Sequence, residues 1–274
     1  MKEKYNLIEK PKKKMNPEAS FEAIVSTALK LPGVKVDRRT FLEEMFLGDA
    51  MDIEKIIEVG PVEAGCPQGV LRSMANKIIT RRTSESSIAS FAAGLPGGLA
   101  MAATIPADTL QYYGVMLRMA QELTYLYGAK DLWKDGELDP YMVKGHLVLY
   151  CGAMFGVVGA AAGVRLFLSQ MAKQIAISLA QQVLTKMVWY PVVKHVGRAL
   201  GVQVTKNVII KGMTKMLPLV SGAISGGLTF ATMGPMGARL AKVLDEAMFE
   251  YSEQKALEDY RLLEDLAKQQ KLLV

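Results

Sequence analysis

Three long stretches without charged residues constrain this sequence more than any other feature. The first runs from Ser86 to Ala107, the second lies between His146 and Arg165, and the third lies between Lys215 and Arg239. Glycines four residues apart recur in all three stretches, and on a helix this spacing leaves one face bare, so that another helix can approach closely. The glycines are Gly94/Gly98, Gly152/Gly156, Gly159/Gly163 and Gly222/Gly226. We expect apolar, hairpin-like helices that pack on one another and can also contact a membrane.

The rest of the sequence favours helices as well. Of the 274 residues, 50% are hydrophobic but only 7% are aromatic. The apolar bulk is therefore aliphatic, which suits helices better than sheets. Sustained alternation of apolar and polar residues, the mark of a strand, is missing from the sequence. We predict an all-α protein, a single helical bundle with the glycine-rich apolar helices, as hairpins, at its centre.

The predicted domain organisation is one helical domain over residues 18–250. A flexible basic arm over residues 1–17 precedes it, and a charged helical extension over residues 251–274 follows it. The arm carries six lysines in a chain of net charge +6. Lysines near a membrane surface attract anionic lipids by roughly 1 kcal/mol each, but such an arm can also contact nucleic acid or stay solvated. Basic stripes interleaved with aromatic residues are missing, so we expect no nucleic-acid partner.

Three local predictions concern helix boundaries. Asp37 is expected to cap the helix that follows it. From Tyr141 to about Ala180 the pattern predicts a long helix with a break near residues 165–169. A final helix is predicted to begin after Pro235, at first apolar and later charged.

The sequence leaves open whether the apolar stretches span a membrane. Each reaches the length of about 20 residues that a crossing needs, but each also looks like a fully buried helix of a soluble bundle. Stable insertion, a soluble or peripheral bundle, and insertion only after a trigger are the alternatives. The two cysteines form no CxxC motif and fit a reducing compartment. No signal peptide is recognised, so we expect the cytoplasmic side, peripheral to or conditionally inserted in the inner membrane.

Motifs that carry catalysis are missing from the sequence. The histidines, His146 and His195, are far apart and lack the HExxH spacing of a metalloprotease, and neither a GxSxG elbow nor a Walker loop is found. We therefore predict no enzyme, no cofactor and no metal site.

Four polar residues in or beside the apolar stretches are candidates for a structural or functional role. Asp108 ends the first stretch and starts a helix, where its carboxylate can cap the backbone and meet the positive end of the helix dipole. Alternatively, it is a buried acid that pairs with Arg118, Arg165 or Arg239. Arg165 and Arg239 can instead extend towards a membrane surface.

Three blocks of the sequence resemble the EcsC family of bacterial proteins over roughly residues 20–250. They are ALKLPGVKVDRRTFL, GLPGGLAMAATIPADTLQYYGVMLRMAQELTYLYG and KMLPLVSGAISGGLTFATMGPMGARLAKVL. The family is named for a gene beside an ABC transporter that affects secretion and proteolysis, and the resemblance implies no catalytic residues. The residues that match the family's central signature are Gly94, Asp108, Arg118, Tyr127 and Gly128.

Together these observations lead us to expect a non-enzymatic, membrane-associated helical protein with a role in an envelope or transport process. Its expected partners are membrane lipids, with anionic headgroups among them, and a membrane protein, and it can form an oligomer. A membrane-permeabilising effector that stays soluble until triggered is one alternative. A carrier of a lipid or another apolar ligand is the other.

Overall fold

The computed structural model describes residues 17–84, 107–134, 137–138, 142–171, 192–200 and 221–272. It confirms the all-α prediction, because the regular structure in these ranges is helical apart from one pair of two-residue strands. The helices are α1 (Pro17–Ala28), α2 (Arg38–Met45), α3 (Ile53–Val59), α4 (Gln68–Ser84), α5 (Ala107–Leu126), α6 (Met142–Phe155), α7 (Ala160–Met171), α8 (helical over residues 192–200), α9 (Ser221–Asp245) and α10 (Glu253–Leu272). The antiparallel strands β1 (Trp133–Lys134) and β2 (Glu137–Leu138) lie in the link between α5 and α6.

Helix α5 lies at the centre of the bundle and packs against α1, α2, α4, α6 and α9. Consecutive residues such as Met116 and Leu117, and again Met119 and Ala120, are fully buried. A helix that buries residues on all of its faces must be enclosed by other elements. The other helices are therefore arranged around α5.

The end of the bundle near the start of α5 brings three helices together. The Tyr112 hydroxyl lies 3.5 Å from the Thr232 Oγ1 of α9. A Cβ atom added to Gly234 would lie 4.0 Å from the Thr83 Oγ1, one residue before the end of α4. We call this end of the bundle, at Thr83, Tyr112 and Thr232, the apolar end.

The opposite end of the bundle carries charged side chains. Tyr127, just after α5, and Arg72, near the start of α4, both contact Asp245 at the end of α9. Helix α9 therefore runs parallel to α5, and α4 runs antiparallel to both. We call this end, at Arg72, Tyr127 and Asp245, the polar end.

Helices α6 and α7 form a hairpin whose turn lies at the apolar end, because Phe155 stacks on Tyr113 with ring centroids 6.4 Å apart. The predicted break near residues 165–169 is wrong. Helix α6 ends instead at Gly156, which has a φ of +72°. The Gly156 N–H donates to the Ala153 carbonyl, and the next N–H donates to the Gly152 carbonyl. These two bonds form a Schellman motif, which requires the left-handed backbone that glycine adopts most readily.

In the C-terminal part of the chain, the boundary between two helices lies later in the sequence than predicted. Helix α9 runs through Pro235 instead of starting after it, and the proline ring lies on the exposed surface of the helix. A π-helical turn, Glu246–Glu250, follows α9. Tyr251 then takes an extended conformation with ψ of 112°, and the Ser252 Oγ accepts the Lys255 N–H at the start of α10. The break therefore falls where a serine caps the next helix.

The predicted cap of α2 is confirmed. The Asp37 side chain accepts the Thr40 N–H at 2.8 Å, which satisfies a backbone donor that the first turn leaves without a helical partner. This hydrogen bond holds the pKa of Asp37 below its usual value.

Replacing Gly152 by alanine is expected to destabilise the protein by about 1–3 kcal/mol. The new Cβ would overlap the Val196 side chain of α8 and lie 2.8 Å from the Ala160 Cβ. The matched control is Gly69→Ala in α4, where nothing lies within 4 Å of the new Cβ, and stability should stay equal or rise by up to about 1 kcal/mol. Urea unfolding followed by circular dichroism measures both, and equal midpoints for the two variants would contradict this packing.

Candidate functional site

Glu122 of α5 is a carboxylate inside the bundle, with its side chain only 1% exposed. Arg82 of α4 donates Nε to the Glu122 Oε2 at 2.7 Å and a second hydrogen bond to Oε1. The same Oε1 accepts from Arg118 at 3.3 Å and from Arg81 at 3.4 Å. A buried carboxylate is tolerated only with such partners. The Glu122 cluster, as we call these four residues, therefore fixes α4 against α5.

The neighbouring Gln121 holds two irregular segments against α5. Its Oε1 accepts the Val36 N–H at 3.2 Å and the Trp133 Nε1–H at 2.9 Å. Its Nε2 donates to the Val34 carbonyl at 2.9 Å and to the Leu117 carbonyl at 3.0 Å. The fully buried amide thus has partners for both its oxygen and its nitrogen. It fixes the segment after α1 and the link after α5.

The polar end is organised around Asp245, which is 5% exposed. Arg72 donates to the Asp245 Oδ2 from Nε at 3.0 Å and from its terminal nitrogen at 2.5 Å. Gln68 donates to the same oxygen at 3.0 Å. The Tyr127 hydroxyl donates to Oδ1 at 3.4 Å. Burial, followed by the charge of Asp245, raises the pKa of Tyr127, so this hydroxyl keeps its proton at neutral pH.

Arg165 of α7 binds the C-terminal helix through a buried ion pair. Its Nε and terminal nitrogen donate to the two oxygens of Asp259, each at 2.8 Å. The Tyr251 hydroxyl donates to the same carboxylate at 2.9 Å, and Glu246 accepts from Arg165 at 3.3 Å. Burial lowers the pKa of Arg165, but the hydrogen bonds and charge of Asp259 outweigh it and raise the pKa overall. The guanidinium therefore stays charged although it is largely buried.

The turn of the α6–α7 hairpin presents apolar surface to solvent at the apolar end. Val158 is 61% exposed, and Gly156 is exposed beside it. The carbonyl of Met154 in the last turn of α6 accepts a hydrogen bond from Arg239 at 2.8 Å. A cation near the C-terminal end of a helix also meets the negative end of its dipole. Arg239 therefore stabilises the helix end that supports the exposed turn.

The described segments bring a part of each apolar stretch, or the residues that flank it, to the apolar end. The chain leaves the described part after Ser84, at the end of α4, and returns at Ala107, five residues before Tyr112. The turn of the second stretch lies at the same end, beside Tyr113. In the third stretch, the backbone of α9 begins at Ser221, and this first half of the helix extends beyond the contact at Thr232. The directions of the helices therefore favour an arrangement in which the three stretches lie together at this end.

The four polar candidates lie in different places. Asp108 is the second residue of α5, and its side chain lies outside the described residues. Arg118 binds Glu122 and also the Gly33 carbonyl at 2.7 Å. Arg165 belongs to the ion pair with α10, and Arg239 belongs to the end of α6. The structure therefore places these three arginines at separate sites.

The packing glycines differ in what the structure describes. Gly94 and Gly98 lie outside the described residues. Gly222 and Gly226 lie in the helical backbone of α9. Gly156 and Gly159 lie in the turn between α6 and α7 with positive φ, and not on a helix face as predicted. A Cβ atom on Gly163 would lie 2.9 Å from the Leu149 Cδ1. Helices α6 and α7 thus approach closely where a larger residue would not fit.

Three acids that organise the structure were not singled out from the sequence: Glu122, Asp245 and Asp259. Only Glu122 carries a local signal, because it follows Arg118 by four residues on the same face of a helix. Asp259 pairs with an arginine 94 residues away. Long-range pairs of this kind leave no spacing in a sequence that could be recognised.

Both cysteines and His146 are packed into the core, whereas His195 is half-buried. Burial raises the pKa of Cys151 to about 12, and a thiol of such a pKa is protonated and unreactive at neutral pH. The Tyr150 hydroxyl is buried without a hydrogen-bond partner. No set of His, Cys, Asp and Glu side chains in the described ranges is grouped so that it could hold a metal ion.

A shallow groove of about 410 Å³ lies beside the start of α4 and the end of α2. Leu47, which is 86% exposed, lines it together with Val70. The groove therefore lies beside the first turns of α4, which are at the polar end, and away from the turn of the α6–α7 hairpin.

Comparison with known proteins found no match. No family model, curated protein or solved structure matches this chain. The resemblance to the EcsC family stays a prediction. Within the described part of the chain, no helix combines the length and apolar character that crossing a bilayer requires.

Replacing Glu122 by glutamine is expected to destabilise the protein by about 3 kcal/mol, because three guanidinium groups would then surround an uncharged amide. The matched control is Glu43→Gln, which removes the same charge from an exposed pair with Arg39 at 2.8 Å and should change stability by less than about 0.5 kcal/mol. Urea unfolding measures both variants. A Glu122 variant as stable as the Glu43 variant would show that the cluster does not hold α4 on α5.

Proposed function

We propose that this protein is a non-enzymatic helical protein that associates with a membrane through its glycine-rich apolar helices. The observation that supports this most is the apolar end, where the α6–α7 turn with the exposed Val158 lies at the same end of the bundle as Tyr112 and Thr232. A surface that gathers apolar segments at one end of a bundle fits a lipid interface. The protein would act on the cytoplasmic side, peripheral to the inner membrane or inserted in it under some conditions.

The size of the exposed turn limits what it can do alone. Burying one valine side chain contributes about 1.5–3 kcal/mol, which is less than stable anchoring needs. The turn would therefore act with the other two apolar stretches, which carry further glycines four residues apart. Docking of this kind places helices in the interface and needs no helix that crosses the bilayer.

Positive charge provides a second attraction. The chain has a net charge of +6, and its first 14 residues hold six lysines. Each lysine near an anionic surface adds about 1 kcal/mol. Anionic lipids are therefore the proposed partners, and a basic segment and an apolar surface together supply the two signals that durable binding requires.

The process in which the protein would act is proposed from the resemblance to the EcsC family. That family is named for a gene beside an ABC transporter that affects secretion and proteolysis. An envelope- or transport-related role, together with a membrane-protein partner, is the matching proposal for this chain.

Replacing Val158 by aspartate is expected to reduce membrane binding at least about tenfold, because a charge would replace an apolar side chain at the contact. Flotation with vesicles of equimolar phosphatidylcholine and phosphatidylglycerol measures the bound fraction. The matched control is Leu47→Asp, which alters a still more exposed side chain, at 86%, away from the apolar end. Its binding should match that of the unmodified protein.

Two results would count against the proposal. One is an unmodified protein that stays entirely at the bottom of the flotation gradient. The other is equal loss of binding in both variants, which would mean that general hydrophobicity, and not the apolar end, governs the contact.

A further inference from the structure

Helix α10 contacts the bundle through a single stripe of its surface. Its buried residues follow helical spacing: Ala256, Asp259, Leu263, Leu266 and Ala267. Apart from the partly buried Tyr260, the side chains between them are charged or exposed, and the helix packs mainly on α7. A peripheral helix with one contact stripe can detach at a lower free energy than helices of the core.

The stripe covers the turn end of the α6–α7 hairpin. Leu263 and Leu266 lie directly over Gly159, the last residue of the turn. A Cβ atom on Gly159 would overlap Leu266 and lie 3.5 Å from the Leu263 Cδ2. The absence of a side chain at Gly159 thus creates the notch in which α10 rests.

The ion pair of Asp259 with Arg165 is the polar contact within this stripe. Asp259 is 3% exposed and is bound at both oxygens. A buried carboxylate needs its cation, so the pair fixes the register of α10 on α7. Arg165 also has Glu246 as a partner, which belongs to the π-turn and not to α10. The arginine would keep a countercharge when α10 leaves.

The connection between α9 and α10 is suited to a hinge. The π-turn Glu246–Glu250 ends in the extended residue Tyr251, and Ser252 caps the new helix. Turns of the π type occur often at functional sites. Rotation about Tyr251 and Ser252 would move α10 while Asp245 stays bound to Arg72 at the polar end.

We propose that α10 is a strap that keeps the α6–α7 hairpin closed, and that release of the strap exposes the hairpin to lipid. This inference rests on the proposed function, since it states when the hairpin meets the membrane. In the closed state the strap buries the outer face of α7 and the notch at Gly159. In the open state both become part of the apolar end.

The test compares Asp259→Asn with Glu258→Gln in the full-length protein. Both variants remove one negative charge from α10, but Glu258 is exposed and pairs with Lys255, at 3.2 Å. Amide exchange of residues 256–267 should become about tenfold faster in Asp259→Asn, while α5 stays protected. Binding to vesicles of equimolar phosphatidylcholine and phosphatidylglycerol should tighten by about the same factor, because the competent state is more populated. Glu258→Gln should change neither quantity.

The two measurements separate this inference from the proposed function. Vesicle binding that depends on Val158 but does not tighten when amide exchange in α10 accelerates would refute the strap and leave the membrane role in place. If no variant binds vesicles at all, the membrane role fails and the strap fails with it. Unchanged exchange in Asp259→Asn would refute the strap directly.

Two further variants apply if Asp259→Asn does not fold. Tyr251→Phe removes the 2.9 Å hydrogen bond to Asp259 and keeps the Asp259 charge, so it should accelerate exchange and tighten binding to a smaller degree. The double variant Arg165→Met with Asp259→Leu replaces the ion pair by two apolar side chains. A well-packed apolar contact holds such an interface together at least as well as the ion pair. The double variant should bind vesicles no better than the unmodified protein, and tighter binding would overturn the proposal.

Discussion

The contact between Arg82 and Glu122 is the interaction on which the rest of the arrangement depends. A carboxylate buried on an enclosed helix is tolerated only where a cation meets it with good geometry. Arg82 supplies that cation from the last turns of α4, so α4 and α5 can associate in one register only. In this register α9 packs against both helices. Gly237 of α9 lies so close to Met119 and Ile79 that a larger residue would not fit there.

This register has a consequence for function. Because α4 ends at the end of the bundle where α5 begins, the described residues that flank the first apolar stretch lie at the same end as the hairpin turn. The charged contacts of Asp245 lie at the other end. Helix α10 lies across the hairpin, with Leu263 and Leu266 over Gly159. The proposed membrane role rests on this arrangement more than on any single motif.

The sequence was sufficient for the helical class and for features with local causes. Asp37 caps α2 through a bond to a residue three positions away, and such caps can be recognised directly. The break at Gly156 has a local cause too, but the glycines there were interpreted as packing residues, and the break was placed later in the chain. Pro235 was expected to begin a helix, but its exposed position lets α9 continue through it. The pairs Arg82–Glu122 and Arg165–Asp259 join distant segments and could not be predicted, because their geometry exists only after the helices have packed.

Distances between spin labels would show whether the three glycine-bearing stretches gather at the apolar end. Labels would be placed pairwise at Val158, Val70 and Met101, with Cys66 and Cys151 replaced by alanine; Met101 belongs to the first stretch and lies outside the described residues. We expect the distance from Met101 to Val158 to be shorter than the distance from Met101 to Val70. A label at Met101 that lies nearer to Val70 would refute the gathering of the stretches.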